Sequence, residues 1–227
     1  MRLLIVFFIA VICKQGSGTT YECNTTASCG CSTSSTVLTR IIGGEPAAHQ
    51  SWSWTVSLRE DGEHICGGSI LSPLFIVTAA HCIDDVTDLT SITILAGSDK
   101  LVPSSSNKVY QIRSIAQIYE HANYDTDTYV NDVALLRLSR PLNMTSANLK
   151  PICLPTGTIA EPPDNINLVA VGWGVTSIFS DTVSPVLRQV TIQSLAGTED
   201  DCNSTIYNNQ FQFCAGVISG GKGNTLI

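Results

Sequence analysis

The segment Ile76-Val-Thr-Ala-Ala-His-Cys82 opens with β-branched residues and closes with a histidine beside a cysteine. The run Ile76 to Thr78 favours an extended strand because branched side chains pack well on a pleated surface. His81 and Cys82 are therefore expected just beyond a strand end, where loops carry functional side chains.

Short runs of the same kind recur along the chain, and clusters of Gly, Pro, Asn, Asp and Ser separate them. They comprise 54–58, 76–78, 92–95, 109–112, 133–136, 168–171 and 186–192. Many short strands without a long 3.6-residue periodicity predict an all-β sandwich or barrel. The Pro-containing segment 151–163 is the expected linker between an earlier and a later group of strands.

Length and composition exclude several classes of protein. The chain has 227 residues, a formal net charge of -7 and 44% apolar residues, which suits one large domain or two small ones and excludes collagen-like and disordered chains. Lys and Arg stand singly apart from Arg137 and Arg140, so we expect no nucleic-acid partner.

The first residues set the expected compartment. Met1-Arg2, the apolar run Leu3 to Ile12 and the small residues Gly16-Ser-Gly18 predict a secretory signal peptide over 1–18. The apolar run is shorter than the roughly 20 residues of a membrane span, so we expect a secreted, extracellular protein without a membrane anchor. Asn24, Asn143 and Asn203 begin three N-x-S/T sequons, which are candidate glycosylation sites.

Cysteine usage agrees with export. Nine Cys in an oxidising compartment predict a disulfide framework, and eight remain if Cys13 leaves with the signal. Residues 19–40 are rich in Ser, Thr and Cys and short of apolar residues. They are predicted to form a tethered propeptide tail without a core of its own.

His81 and Asp132 are candidates for general-base chemistry. Asp132 stands just ahead of the apolar run Val133 to Leu136, as His81 stands just after another. A carboxylate at a strand end can hold a histidine in one tautomer by accepting its ring N–H. Either residue taken alone is more often structural than catalytic.

The surrounding motifs resemble the trypsin-like (chymotrypsin-fold, S1 family) serine proteases, and they occur in that family's order from residue 40 to residue 222. They read Arg40-Ile-Ile-Gly-Gly-Glu45, Trp52-Ser-Trp-Thr-Val-Ser-Leu58, Cys66-Gly-Gly-Ser-Ile70, Thr78-Ala-Ala-His-Cys82, Asn131-Asp-Val-Ala-Leu-Leu136, Gly172-Trp-Gly174 and Phe213-Cys-Ala-Gly216. The resemblance implies two six-stranded Greek-key β-barrels, the first over about 41–150 and a partial second over about 151–227, incomplete at its C-terminal end.

The same resemblance implies residue roles. His81 would be the general base and Asp132 its orienting carboxylate. Arg40-Ile41 would be the zymogen activation bond, cut by an activating trypsin-like protease. Protein or peptide substrates and protease inhibitors would be the partners, and no cofactor is implied. Family pairing would join Cys66 with Cys82, Cys202 with Cys214, and Cys153 with one of Cys23, Cys29 and Cys31, with the remaining two paired within the tail.

The match to the family stops after Lys222. Members continue into the segment that holds the pocket residue, the oxyanion-hole glycine and the nucleophilic serine, whereas this sequence reads Gly223-Asn-Thr-Leu-Ile227. The nucleophilic Ser is therefore absent from the sequence as written, which predicts a chain without conventional protease activity. The alternative is a non-catalytic secreted serine protease homologue that acts as a binding or regulatory module.

A metal site is the weaker interpretation of the cysteines. Cys66, His81 and Cys82 include zinc-ligand residue types, but they lack the paired spacings of zinc sites. We therefore expect a disulfide there and no metal.

Overall fold

The computed structural model describes residues 19–21, 23–24, 26–31, 36–38, 44–104, 109–146, 148–155, 162–175, 182–196, 202, 206–208 and 210–216. The predicted signal peptide, Arg40-Ile41, Asn203 and the segment after Lys222 lie outside the described residues. The structure therefore does not test those predictions.

Six antiparallel strands close into a barrel. They are β4 (Thr55–Glu60), β5 (Glu63–Ser72), β6 (Phe75–Thr78), β7 (Ile92–Ala96), β8 (Gln111–Glu120) and β9 (Ala134–Leu138). Around the barrel they follow the order β4-β5-β6-β9-β8-β7. Closure follows from β4, which pairs with β5 on one side and with β7 on the other. A closed barrel leaves no edge strand.

Alternating side chains fill this barrel. In β6 and β9 every second residue is buried, including Ile76, Leu136 and Leu138, as expected where one face of a strand meets the core. The barrel core contains fifteen buried residues among those described. They are Val56, Leu58, Ile70, Ile76, Ala80, Ile83, Ile92, Ile94, Ala96, Ile115, Ala134, Leu136, Leu138, Leu142 and Leu149.

Strand β5 was not among the predicted strands. It begins after a two-residue hairpin turn, Asp61-Gly62, in which both residues have positive φ (48° and 89°). Such a turn matches the twist of the flanking strands. Gly68 within β5 leaves little room for a side chain, since an added Cβ would lie 3.0 Å from the Ile76 Cγ2 and 3.1 Å from the Val77 carbonyl oxygen.

A second sheet lies beside the barrel. It consists of β10 (Asn167–Gly172), β11 (Arg188–Leu195) and β12 (Cys214–Gly216), with β3 (Glu45–Pro46) paired to the start of β11. Its own buried cluster, among the described residues, is Leu101, Trp173 and Leu187. Residues 45–46 thus pair with the later strands, although they precede the barrel in the chain.

The junction between barrel and second sheet is held by polar contacts around residues 99–101. Leu187 N–H donates to the Asp99 carbonyl oxygen at 2.6 Å, and the Trp173 indole N–H donates to the same oxygen at 3.3 Å. The Arg59 guanidinium donates to the Leu101 carbonyl oxygen. These bonds fix the second sheet against one side of the barrel.

The predicted tail is attached to the body. Its short strands β1 (Thr19–Tyr21) and β2 (Thr36–Leu38) pair with each other. Disulfides join Cys23 with Cys31 and Cys29 with Cys153, and Gly30 N–H donates to the Pro151 carbonyl oxygen at 2.8 Å. An added Cβ at Gly30 would lie 2.8 Å from the Cys153 sulfur, so the close approach requires glycine.

Strand boundaries depart from the predictions in one informative place. The strand predicted to start at Val109 starts at Gln111 and runs on to Glu120. Residues such as Arg113, Ser114 and Gln117 interrupt the apolar pattern, so composition underestimated this strand's length.

Among the residues described, no helix is long and apolar enough to span a membrane.

Candidate active site

His81 lies in a single-turn 3-10 helix, Ala80–Cys82, which begins two residues after β6 ends. The Cys66–Cys82 disulfide ties this turn to β5. The end of β6 just before the turn is also bonded to β5, because Thr78 Oγ1 donates to the Gly67 carbonyl oxygen at 2.8 Å. The imidazole itself is about half exposed, with 47% of its side chain accessible.

Strand register brings Asp132 to His81. β6 and β9 are antiparallel neighbours, and Thr78 at the end of β6 faces Ala134 at the start of β9. Residues just after β6 and just before β9 must therefore lie at the same end of the barrel. This register places two residues 51 positions apart in direct contact.

The Asp132 carboxylate receives two hydrogen bonds from His81. Its Oδ2 lies 2.7 Å from His81 Nδ1, and its Oδ1 accepts the His81 backbone N–H at 2.9 Å. Such a pairing orients the ring and assigns Nδ1 as the protonated nitrogen, which leaves Nε2 as the acceptor. Asp132 is mostly buried, with 21% of its side chain accessible.

The loop before Asp132 is shaped by Asp125. Its Oδ1 accepts the backbone N–H groups of Thr128 at 2.9 Å and Asp127 at 3.0 Å, and these bonds, chiefly that of Thr128, lower the pKa of Asp125. Its backbone carbonyl accepts the Tyr129 N–H at 2.8 Å. The loop is thereby closed on itself ahead of the catalytic candidate.

Tyr129 and Asn131 both adopt left-handed backbone, with φ of 55° and 61°. Asn tolerates this region, whereas a bulky residue pays for it in strain. The Tyr129 ring meets the His81 ring edge to face, with centroids 5.9 Å apart. Asn131 Nδ2 donates to the Asn123 carbonyl oxygen at 2.8 Å, which fixes the step into Asp132.

Tyr124 packs against the barrel core close enough to Asp132 to feel its charge. Its hydroxyl is buried and has no hydrogen-bond partner among the described residues. Burial, followed by the nearby Asp132 charge, raises the pKa of Tyr124 to about 12. The phenol therefore stays neutral beside the carboxylate over the physiological range.

Sequence reasoning pointed to His81 and Asp132 but missed Tyr129, Tyr124 and Asp125. Asp125 had a recognisable signal, because an Asp followed by Thr and Asp in a polar segment favours a side-chain-closed turn. Nothing in the sequence marks the left-handed conformation of Tyr129.

Of the other predicted residues, Cys66 and Cys82 lie beside His81, whereas the glycosylation candidates and the second disulfide belong to other parts of the molecule. Asn24 and Asn143 are exposed, as a glycan acceptor must be. The Cys202–Cys214 disulfide belongs to the second-sheet region. Because the sulfurs of Cys66 and Cys82 are bonded to each other, neither is a thiolate ligand in this state.

Comparison with known proteins agrees with this architecture. The family model described as Trypsin matches residues 41–225. The chain is 35% identical over 189 residues to ovochymase of Halocynthia roretzi, covering 80% of this chain and 11% of that protein. It is 34% identical over 184 residues to transmembrane protease serine 9 of Rattus norvegicus, covering 80% of this chain and 17% of that protein. The chain thus spans less than a fifth of the length of these two relatives.

Solved structures give the same result. A mutant of human heparin binding protein superposes with a TM-score of 0.67 at 28% identity, covering 81% of this chain and 76% of that one. Human heparin binding protein itself gives 0.64 at 26% identity, with the same coverage. The closed six-stranded barrel and the second sheet are those of the two-barrel chymotrypsin-like fold, and the chain belongs to the trypsin family of serine proteases.

Proposed function

We propose that this chain carries the base half of a secreted, trypsin-like serine endopeptidase. His81 acts as general base through Nε2, and Asp132 orients the ring. The observation that carries the proposal is the 2.7 Å contact between Asp132 Oδ2 and His81 Nδ1, on an imidazole that stays half exposed. In this role the base takes a proton from a serine hydroxyl and returns it to the leaving amine.

The nucleophile itself is not among the 227 residues, since no serine follows Lys222. Residues 1–227 alone should therefore hydrolyse no peptide by this mechanism, because loss of the nucleophile costs about 10⁶ in turnover in a comparable triad. Protein or peptide substrates and protease inhibitors are the proposed partners of the chain once it is joined to a serine-bearing segment.

Activation is part of the proposal. Cleavage between Arg40 and Ile41 by a trypsin-like protease would free an amino terminus just ahead of β3, while the Cys29–Cys153 disulfide keeps the cut tail attached. Trypsin treatment followed by N-terminal sequencing tests this step. An Arg40→Gln chain should resist the cut, and a product that starts elsewhere would contradict the assignment.

The catalytic proposal is tested by grafting the serine-bearing segment of a trypsin-family relative after Lys222 and measuring peptide hydrolysis. His81→Ala and Asp132→Asn should each lower kcat by about 10⁴ or more. Asp84→Asn, which changes an exposed carboxylate outside the pair, is the matched control and should keep the activity of the grafted chain. A grafted His81→Ala chain as active as its parent would overturn the assignment.

A second role is a non-catalytic secreted binding module. It is favoured by a barrel that closes within residues 55–138 and has one buried core drawn from residues 56–149, together with the resemblance to a protein whose name records heparin binding. A net charge of -7 disfavours a polyanion as the ligand here, so the partner would be a protein. Soluble residues 1–227 that capture a protease inhibitor without hydrolysing peptides, and that do not bind heparin resin, would support this role.

A further inference from the structure

The Cys66–Cys82 disulfide lies against the imidazole of His81. The Cys82 sulfur is 3.5 Å from His81 Nε2, and the two sulfurs and a ring nitrogen all lie within 4.8 Å of one another. Within the part of the chain that the structure describes, no other group of three potential metal ligands lies so close together. The other disulfides there have no histidine in a comparable position.

We propose that reduction of the Cys66–Cys82 disulfide creates a three-ligand zinc site from the two thiolates and His81 Nε2. A tetrahedral zinc ion with bonds of about 2.3 Å to sulfur and about 2.05 Å to nitrogen holds these atoms about 3.5 Å apart. That is the separation already present between Cys82 and His81. The same geometry places two sulfurs about 3.8 Å apart.

Bonded sulfurs are too close together for both to bind one zinc ion, and reduction of the disulfide allows them to move apart. The Cα atoms of Cys66 and Cys82 are 6.1 Å apart, so rotation about the side-chain bonds can separate the sulfurs while both still point toward the imidazole. Both cysteines are half-buried and His81 is exposed. An ion can therefore enter from solvent, and its fourth position stays open to water, as in three-ligand zinc sites.

Asp132 prepares the histidine for this role. A metal-bound histidine normally donates its other ring N–H to a carboxylate, which fixes the ring and strengthens the ligand. Asp132 Oδ2 already lies 2.7 Å from Nδ1 and Oδ1 accepts the His81 backbone N–H. The ring is therefore held with Nε2 on the side of the sulfurs before any metal arrives.

The reduction balances with either a dithiol or a phosphine as reductant. A phosphine gives two electrons to the disulfide and takes the oxygen of one water molecule to become a phosphine oxide, while the two sulfurs take the protons of that water. A dithiol gives two electrons and two protons to the disulfide and becomes a cyclic disulfide itself, leaving Cys66 and Cys82 as thiols. Zinc then displaces the two thiol protons. Zinc on Nε2 occupies the lone pair that a general base needs, so the zinc-loaded state would hold no free base. Metal binding itself requires no serine and stands apart from the proposed protease function.

The test uses the full chain, reduced by tris(carboxyethyl)phosphine without oxygen and titrated with Co²⁺, whose spectrum reports tetrahedral thiolate ligation. We expect one equivalent of tightly bound Co²⁺, displaced by Zn²⁺, and no such spectrum before reduction. His81→Ala should weaken binding at least tenfold, and Asp132→Asn about tenfold or more. His49→Ala removes an exposed histidine that contacts Asp99 and not the proposed site, and it should leave the affinity unchanged.

The reductant also opens the other disulfides, so Cys66→Ser/Cys82→Ser measures what the remaining cysteines bind. An unreduced Cys66→Ser chain offers a second route, because it keeps the other disulfides and presents one free thiol beside His81. It should bind Co²⁺ more weakly than the reduced parent, and adding His81→Ala should abolish that binding. Equal spectra in parent and His81→Ala, or none in the reduced parent, would overturn the proposal.

Discussion

The closed barrel and the second sheet are built from similar short strands, yet they are packed very differently. In the barrel, β4, β7 and β9 each contribute at least two completely buried or nearly buried apolar residues, and fifteen share one cluster. In the second sheet, β10 has no fully buried residue and the described cluster contains three. Strand β11 buries one apolar residue, Ile192, together with the polar residues Gln189, Thr191 and Ser194. Closure turns one face of each barrel strand toward a common core, whereas the burial of an open sheet depends on the segments that pack against it.

The largest test of this difference compares two buried leucines. Leu136→Ala in the barrel and Leu187→Ala beside the second sheet remove the same atoms from sites that are 0% and 2% exposed. We expect losses of unfolding free energy of about 4–5 kcal/mol for Leu136 and about 2–3 kcal/mol for Leu187, because the smaller cluster can collapse around the cavity. Urea unfolding followed by tryptophan fluorescence measures both. Equal losses would mean that the two cores are equally rigid.

The two regions each contain one disulfide, and here we expect equal effects instead of unequal ones. Cys66–Cys82 and Cys202–Cys214 close loops of 16 and 12 residues. Loop-closure entropy predicts a similar loss of about 3 kcal/mol when either pair is replaced by serine. Urea midpoints of the two double variants provide the comparison. A much smaller loss at Cys202–Cys214 would show that its loop is already ordered in the unfolded chain or loosely held in the folded one.

Glycine substitutions probe packing on a finer scale. Gly68→Ala must displace Ile76 and Val56 side chains that lie 3.0 Å and 3.2 Å from the added Cβ, whereas Gly172→Ala meets nothing within 4 Å. We expect Gly68→Ala to cost about 1–3 kcal/mol and Gly172→Ala to stay within about 0.5 kcal/mol of the parent. Thermal unfolding of the two variants decides it, and a larger loss at Gly172 would contradict the packing difference.

The smallest expected effect is a pH dependence at the junction of the two regions. His64 bonds Ser57 Oγ at 2.8 Å and packs on Trp173, and desolvation, followed by the Arg59 charge, lowers the pKa of His64. The unfolded chain therefore binds a proton at this histidine more readily than the folded chain does. The contribution of neutral His64 to the free energy of unfolding is present above about pH 6.5 and is lost as the pH falls toward the folded pKa.

His64→Gln should flatten the fall in unfolding free energy between about pH 7 and pH 5. His121→Gln, which changes an exposed histidine, serves as the control and should leave the slope as in the parent. Urea titrations at several pH values supply the slopes. An unchanged slope in His64→Gln would mean that the histidine is not desolvated in solution.

The two regions also differ in how well the sequence predicted them. Runs of branched residues located most barrel strands, because alternating burial demands such residues there. β5 was not predicted because polar residues and glycines interrupt its apolar pattern, namely Glu63, His64, Gly67 and Gly68. The Asp61-Gly62 pair before it is a hairpin signal that could have identified the strand. The pairing of β3 with β11 joins residues more than 140 positions apart, and no local pattern specifies such a contact.

Side-chain chemistry pointed to His81 and Asp132, and the structure places these two residues in contact. Their catalytic role stays a prediction, and the sequence carried no signal for residues that are placed by backbone geometry. His81 and Asp132 each lie at a strand end within a motif that resembles the trypsin-like family, and this combination is what made them candidates. Tyr129 is placed by a left-handed turn that is unfavourable for its residue type, so propensity argues against the observed conformation. Which tail cysteine meets Cys153 depends on how the tail folds over residues 151–153, and the structure selects Cys29.

The four-pair ladder between β6 and β9 has a consequence for how such a chain tolerates change. The contact between His81 and Asp132 is specified at one barrel end by Thr78 facing Ala134, so the path taken by the chain between them is free to lengthen. Insertions at exposed positions such as 87–88 should leave the pair in place, whereas a single added residue inside β9 would turn every following side chain to the opposite face. Reporter peptides or new recognition loops can therefore be carried by this segment without redesign of the residues that would do the chemistry.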